Sequence, residues 1–198
     1  MKKVIVTGVL LTLISFNVFA GPFGIEMGMS LQEVTNLCKS GPKLIGQDLY
    51  SIVPLKTNDL FDSYRVRIDP NYGLYMIAAM IPIKTTEDGA KIKSAFNDLV
   101  SNIEQVYGNY EKIDILEPGS KHNKPKDFMT SLAEHERTLM VTWQSPLSTL
   151  PTNLKIITVT AEAITSSLGW VDLEYRSDNY DKVEAAKKAK KEEQASVF

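Results

Sequence analysis

Three side chains in this sequence could act as nucleophiles or as thiolate or imidazole metal ligands: Cys38, His122 and His135. The two histidines lie thirteen residues apart, which is not the spacing of a helical zinc motif, and the chain has no second cysteine. The pattern around Cys38 predicts a position on the apolar face of a helix, near its C-terminal end, where the helix dipole disfavours a thiolate. The sequence therefore predicts a buried structural cysteine and surface histidines, and it indicates no catalytic, metal-binding or cofactor-binding residue.

Paired carboxylates are another route to acid–base chemistry, and four acidic residues could contribute to a pair: Asp69, Asp127, Glu134 and Glu136. Spacing alone does not show that any two of them converge. The sequence has no G-x-S-x-G elbow, no Walker A loop and no G-x-G-x-x-G motif. It therefore neither indicates nor excludes an enzyme.

Five residues predict a charged surface that includes an aromatic side chain. Arg65 and Arg67 point to one side of a predicted strand, and Trp170, Asp172 and Glu174 point to one side of another. If both sides belong to one sheet face, these residues form a patch with the make-up of a protein-binding surface. The alternative interpretation is a solvated sheet face whose charges form cross-strand ion pairs.

The composition is that of a globular domain with a core, since 43% of the 198 residues are hydrophobic and 9% are aromatic. The formal net charge is −2, and without Lys2 and Lys3 the chain has 20 basic and 24 acidic residues, or −4. A weakly acidic chain does not attract nucleic acid over long range, so we expect no nucleic-acid partner. A single cysteine allows no internal disulfide, so core packing must supply the stability.

The first twenty residues have the pattern of a bacterial signal peptide. Lys2 and Lys3 precede an almost wholly apolar run over 4–19, and Val18-Phe19-Ala20 suits a signal peptidase that cuts before Gly21. The run is shorter than the roughly 20 residues of a spanning helix, and no later segment is comparable. We therefore expect cleavage near Ala20-Gly21, a periplasmic or secreted protein, and no integral membrane segment after cleavage. A retained N-terminal anchor is the alternative.

Hydrophobic periodicity predicts the elements of the first half. A short strand over 23–27 precedes a helix with Ser30 as N-cap and Glu33 in a capping box, and Gly41-Pro42 ends that helix. Strands are then predicted over 49–53, 64–68 and 74–81. The last two form a hairpin, and its second strand is apolar on both sides, which predicts a central position in the sheet.

The second half contains the longest predicted helix, over about 87–107, with Gly108 as its stop. A short helix from 128 to about 137 follows a polar connection. Three alternating strands come next, joined by short links that favour an antiparallel meander, at residues 139–143, 157–163 and 171–175.

These elements predict an α+β fold: a single antiparallel sheet of about five to seven strands, with the long helix packed on one face and two shorter helices. The domain organisation is a signal peptide at 1–20, a single domain at 21–180, and a charged helical or disordered tail at 181–198. The sequence shows no internal repeat.

Residues 25–42 resemble the opening motif of small bacterial envelope proteins of the β-lactamase-inhibitor-like group, which includes a small lipoprotein subunit of the outer-membrane assembly machinery. The shared residues are Ile25, Gly28-Met29-Ser30, Glu33-Val34 and the Gly41-Pro42 stop. The sequence departs from the pattern because three residues separate Leu37 from Gly41 and the lipidated cysteine is missing. The resemblance implies an exported α+β adaptor or inhibitor rather than a catalyst.

We therefore expect an exported envelope protein with a protein-binding accessory or inhibitor-like role and an envelope protein as its partner. Two alternatives remain: a small periplasmic hydrolase-like enzyme with scattered site residues, and a binder of an apolar ligand between helix and sheet. A deep pocket that gathers His135 or Cys38 with carboxylates would favour the enzyme. A closed core with a flat exposed sheet would favour the adaptor, and an elongated apolar cavity the ligand binder. No feature of the sequence selects an oligomeric state.

Overall fold

The computed structural model describes residues 21–195, which form one antiparallel sheet of eight strands together with four α-helices. The predicted signal peptide at 1–20 lies outside the described residues, as do 196–198. The helices are α1 (Leu31–Asn36), α2 (Ala90–Tyr107), α3 (Phe128–Ala133) and α4 (Tyr180–Ala195). The strands are β1 (Cys38–Leu44), β2 (Leu49–Pro54), β3 (Ser63–Asp69), β4 (Gly73–Lys84), β5 (Glu111–Leu116), β6 (Arg137–Gln144), β7 (Ile156–Thr165) and β8 (Leu168–Arg176).

The strand order is β1-β2-β3-β4-β8-β7-β6-β5, and every neighbouring pair is antiparallel. The sheet thus consists of two four-stranded meanders that meet at their last strands, β4 and β8. A helix precedes each meander, α1 the first and α2 the second. The two halves share this topology although their sequences show no repeated pattern.

One face of the sheet carries the main core, against which α2 and α3 pack. Alternate residues of each inner strand point to this face, as the two-residue period of a strand requires. In α2 the buried side chains recur at helical spacing: Ile92, Phe96, Leu99, Val100 and Ile103. From the sheet, Trp143 is fully buried and donates its indole N–H to the carbonyl of Gly108 at 2.9 Å. Removal of apolar surface from water on this face is the main stabilising contribution to the fold.

The other face carries a smaller apolar cluster beneath α4. Tyr75, Met76, Ala78 and Val183 are buried together there. A β-bulge in the pairing of β3 with β4 leaves Tyr75 as an extra residue, because Arg67 pairs with Met76 and the next pair is Ile68 with Leu74. Strand β4 is therefore apolar on both faces and lies in the middle of the sheet, as its sequence predicts. No helix within residues 21–195 is both long enough and apolar enough to cross a membrane.

The prediction of an α+β fold with one antiparallel sheet is confirmed, but the expected five to seven strands and three helices are too few. The missed strands are β1 and β5, and both are edge strands with largely exposed side chains. In β1, Gly41-Pro42 lies inside a strand instead of ending a helix. An edge strand tolerates proline because the backbone N–H groups on its outer side have no neighbouring strand to bond.

The start of the domain also differs from its prediction. Residues Pro22–Gly24 form a 3-10 turn instead of a strand, and Phe23 adopts a positive φ of 56°. This turn places the Phe23 ring edge-on against Tyr64, at a centroid distance of 4.9 Å. The capping box of Ser30 and Glu33 is present as predicted, but α1 ends at Asn36.

We expect Phe96→Ala to lower the free energy of unfolding by about 3–5 kcal/mol, because truncation of a buried aromatic ring leaves a cavity. Phe96 is 1% exposed, on the core side of α2. Urea unfolding followed by circular dichroism measures the change. Val106→Ala on the same helix is the control, since Val106 is 58% exposed and should change stability by less than about 0.5 kcal/mol. Equal losses in the two variants would contradict this packing.

Candidate functional site

The sheet face opposite α2 is only partly covered, because α4 packs at one end of it. The uncovered area, here named the open face, contains side chains from seven strands that share this face by their pairing register. Several are apolar and half-buried or exposed, and acidic and basic side chains lie among them. The open face consists of Val53, Arg65, Met80, Pro82, Ile113, Ile115, Thr138, Met140, Thr160, Glu162, Trp170, Asp172 and Glu174.

An ion pair between Arg65 and Asp172 spans the centre of the open face. Arg65 lies on β3 and Asp172 on β8, so the guanidinium reaches across β4 between the two strands. Its Nη2 donates to both carboxylate oxygens, at 2.8 and 2.9 Å. The Arg65 Nε is buried and makes no hydrogen bond within residues 21–195. The pair fixes both side chains, but one buried donor is left unsatisfied, which is energetically unfavourable.

Burial raises the pKa of Asp172 to about 6, although the charge and hydrogen bond of Arg65 act to lower it. The nearby carboxylates of Glu174 and Glu162 add to the rise, because a second negative charge disfavours ionisation. Two other acidic side chains are therefore close enough to repel the Asp172 carboxylate. Arg65 provides the facing positive charge, and Glu174 makes its own ion pair with Arg176.

Trp170 lies at the end of the open face that is farthest from α4, opposite Pro82 on one side and Glu162 on the other. It also lines a cleft of about 520 Å³, here named the corner cleft, where β7 runs on past the start of β6. The cleft has both apolar and polar walls, and a histidine, a glutamate and an arginine, Arg137, are among the polar side chains. Its lining includes Leu132, Ala133, His135, Ala163, Ile164, Glu162 and Trp170.

The structure places all five predicted patch residues on the same sheet face, but it does not leave all of them accessible. Arg65, Trp170, Asp172 and Glu174 belong to the open face. Arg67 instead donates to Asp48 at 2.7 Å, beside α4. The expected cross-strand ion pairing also occurs, between Arg65 and Asp172. The cross-strand ion pair is therefore observed, and the protein-binding interpretation of this face stays a prediction.

A buried polar cluster, which sequence reasoning missed, holds α4 on the sheet. Asp48, 8% exposed, accepts hydrogen bonds from Tyr75 and Arg67. Lys187 of α4 reaches the same carboxylate at 2.6 Å and donates to the Tyr75 hydroxyl at 2.6 Å. We name these four residues the Asp48 cluster. It joins a turn, β3, β4 and the C-terminal helix through charge-assisted hydrogen bonds.

The pKa values in the Asp48 cluster follow from burial and charge together. Burial acts to raise the pKa of Asp48, but the hydrogen bonds from Lys187 and Tyr75, together with the charges of Lys187 and Arg67, outweigh it and lower the pKa. Burial and the bond to Asp48 raise the pKa of the Tyr75 hydroxyl to about 12. The cluster is therefore an ionised carboxylate between two cations with a neutral phenol, an arrangement that fixes α4 in place.

The residues that the sequence suggested for chemistry do not gather at one site, although His122 and Glu136 are in contact. Cys38 begins β1, is half-buried against the core, and has a pKa raised by burial; it does not lie at the end of a helix as predicted. Glu136 accepts a hydrogen bond from the ring of His122 at 3.1 Å and others from backbone amides, so it orders a loop. Asp69 accepts backbone amides in its own turn. No group of three histidine, cysteine or acidic side chains within residues 21–195 is placed to hold a metal ion.

Comparison of the chain with protein-family models, with curated proteins and with solved structures gives no match in any of the three.

We expect Asp172→Asn to remove a pH-dependent contribution to stability. In the folded protein the pKa of Asp172 is raised to about 6, whereas in the unfolded chain it is near 3.8. Protonation of Asp172 therefore stabilises the folded state, and this contribution is fully present below pH 3.8 and is lost as the pH rises through 6. The stability of the wild type relative to the variant should therefore fall by roughly 2–3 kcal/mol between about pH 4 and pH 7. Urea unfolding of both proteins across this range measures the difference, and a constant difference would contradict it.

We expect Lys187→Gln to loosen α4, because it removes the ammonium that binds both Asp48 and Tyr75. Backbone amide exchange along α4 should become about tenfold faster, and the rest of the domain should change little. Hydrogen exchange with mass spectrometry measures this. Lys188→Gln is the matched control, because its side chain is 79% exposed. Unchanged exchange in Lys187→Gln would show that the Asp48 cluster does not hold the helix.

Proposed function

We propose that this chain is an exported envelope protein that binds another protein through the open face and the corner cleft. The observation that carries the proposal is the uncovered half of the sheet, where apolar side chains lie beside a partly buried ion pair. Met80, Met140 and Trp170 are half-buried, and Ile115 and Val53 are 53% and 41% exposed. Apolar area of this kind, interrupted by charges, is typical of surfaces that another protein covers.

The shape of the surface favours a protein over a small molecule as its occupant. A small ligand needs a concave site that encloses most of its surface, whereas adjacent strands present a broad, gently twisted surface. The corner cleft adds one recess at the Trp170 end, which has room for an anchoring side chain of the partner. Anchor side chains in such recesses contribute much of the affinity of protein interfaces.

The charges of the open face indicate the chemistry of the partner. Glu162 and Glu174 both repel Asp172, which Arg65 faces, and Glu174 is paired with Arg176, so Glu162 is left without an ion pair within residues 21–195. A partner with a basic residue beside its apolar anchor would relieve this repulsion and would be electrostatically complementary. The partner that fits best therefore presents an aliphatic or aromatic side chain flanked by lysine or arginine.

Two sequence features support an envelope location. The first twenty residues have the pattern of a signal peptide, and residues 25–42 resemble the opening of an inhibitor-like and adaptor-like envelope group. The enzyme alternative draws on His135 and Glu162, which both line the corner cleft, but the cleft contains no second carboxylate. The ligand-binder alternative needs a cavity beneath α2, where Phe96 and Trp143 instead fill the space.

Site-specific photocrosslinking in the native bacterium tests the proposal. A photoreactive amino acid replaces Thr138 or Ile115 on the open face, or Val106 on α2 as the control. We expect a discrete crosslinked product from the open-face positions only. With the crosslinked partner purified, Trp170→Ala should weaken its binding by about 30-fold, the loss typical of a hot-spot residue, whereas Val106→Ala should leave affinity unchanged.

Three outcomes would contradict the proposal. Crosslinking at Val106 as strong as at the open face would indicate non-specific contact. A product that contains only two copies of this chain would indicate a homodimer instead of a second protein. Binding of the purified partner that is insensitive to Trp170→Ala would place the interface elsewhere, provided that circular dichroism shows the variant to be folded.

A further inference from the structure

A second recess lies on the opposite side of the sheet from the open face and is lined by cations. It is a cleft of about 350 Å³ between α2, the edge strand β5 and the segment that leads into α3. Lys93 of α2, Lys112 of β5, Lys124 and Arg137 of β6 all line it. We name it the cationic cleft. Four separate parts of the chain contribute one positive charge each, so the cluster exists only in the folded protein.

The charge of the cationic cleft contrasts with that of the whole molecule. Four cations and one carboxylate, Asp114, give the cleft a net charge of +3, whereas the full chain carries −2. Asp114 accepts from Arg137 Nε at 2.9 Å and from Nη2 at 2.7 Å, so it neutralises only that cation. Lys112 and Lys124 make no ion pair within the described part of the chain. Like charges gathered in a recess repel one another and raise the local concentration of anions.

Phe128 holds two of the cations in place. Lys93 Nζ lies 4.0 Å from the centroid of its ring, and Arg137 Cζ lies 5.0 Å from it. These contacts are cation–π interactions that orient the two side chains without neutralising their charge. Lys93 also donates to the carbonyl of Asp88 at 2.6 Å, which leaves other ammonium hydrogens for a ligand.

The loop that carries Lys124 is ordered by one glutamate. Glu136 accepts hydrogen bonds from the backbone amides of Lys121 and His122, and its bond to the His122 ring completes the connection. These bonds tie the loop to the start of β6, beside Arg137. The cleft is therefore built by specific contacts at its base and on its loop wall.

From this geometry we propose that the cationic cleft binds a small ligand through a phosphate group. A phosphate ester carries close to two negative charges and three acceptor oxygens, which suits ammonium groups that converge from several sides. A single carboxylate would compensate only one of the three excess charges. The phosphate can belong to a soluble molecule or to a lipid headgroup, since either presents the same oxygens. The cationic cleft shares Arg137 and Leu139 with the corner cleft at the end of the sheet. The proposal rests on Lys93, Lys112 and Lys124, which line the cationic cleft and do not line the corner cleft.

Titration of the full mature chain with inorganic pyrophosphate tests the proposal, with calorimetry for affinity and amide NMR for location. We expect shifts at Lys93, Lys112 and Asn123, and about tenfold or greater weakening in the double variant Lys112→Gln/Lys124→Gln. The double variant Lys39→Gln/Lys43→Gln is the matched control. It removes the same charge from exposed lysines of β1, which lies at the opposite edge of the sheet from β5. Its affinity should stay within about twofold of the wild type.

Sedimentation with phosphatidylcholine vesicles, with and without phosphatidic acid, distinguishes the two sources of phosphate. Pyrophosphate binding without vesicle binding supports a soluble ligand. Binding to phosphatidic acid vesicles that the Lys112→Gln/Lys124→Gln variant loses supports a lipid headgroup. Failure of both probes, or equal loss of binding in the control variant, would overturn the proposal.

Discussion

The fold depends on β4, a strand that carries apolar side chains on both of its faces. Leu74, Ile77 and Ala79 belong to the main core, and Met76 and Ala78 belong to the cluster beneath α4. The apolar side chains of such a strand must be removed from water on both faces of the sheet. Its backbone is then buried as well, so it needs a hydrogen-bonded strand on each side, because an unpaired polar group away from water is unfavourable. The structure meets these demands with β3 and β8 at the two edges of β4, α2 on one face, and α4 on part of the other.

Sequence patterns predicted the elements whose apolar residues follow one clear period. Strand β3, the helix α2 and the last three strands have this property, whereas β4 is marked by an unbroken apolar run. The edge strands β1 and β5 do not, because most of their side chains are exposed and only backbone pairing places them in the sheet. Propensity and burial are weak guides at a sheet edge, since the pairing partner decides the structure.

The candidate sites were predictable to different degrees. Alternation along β8 placed Trp170 and Asp172 on one side of that strand, because the direction of a strand side chain follows from its position. That Arg65 of β3 shares their face follows only from the strand order and register. The Asp48 cluster and the cationic cleft join residues that are far apart in the chain. Tyr75 faces α4 only because of the β-bulge in β4, which no local sequence pattern predicted. Such arrangements depend on tertiary packing and require coordinates.

The junction of the two meanders also has a consequence for how the chain folds. Met76 of β4 pairs with Arg176 of β8, one hundred residues later. The first meander can form hairpins early. The backbone groups on the β8 side of β4, however, have no hydrogen-bond partners until β8, the last strand, is available. Closing so long a loop is entropically costly, and a high contact order slows folding. The central strand is therefore the one completed last, and until then its uncovered edge is the part of the chain most exposed to mispairing.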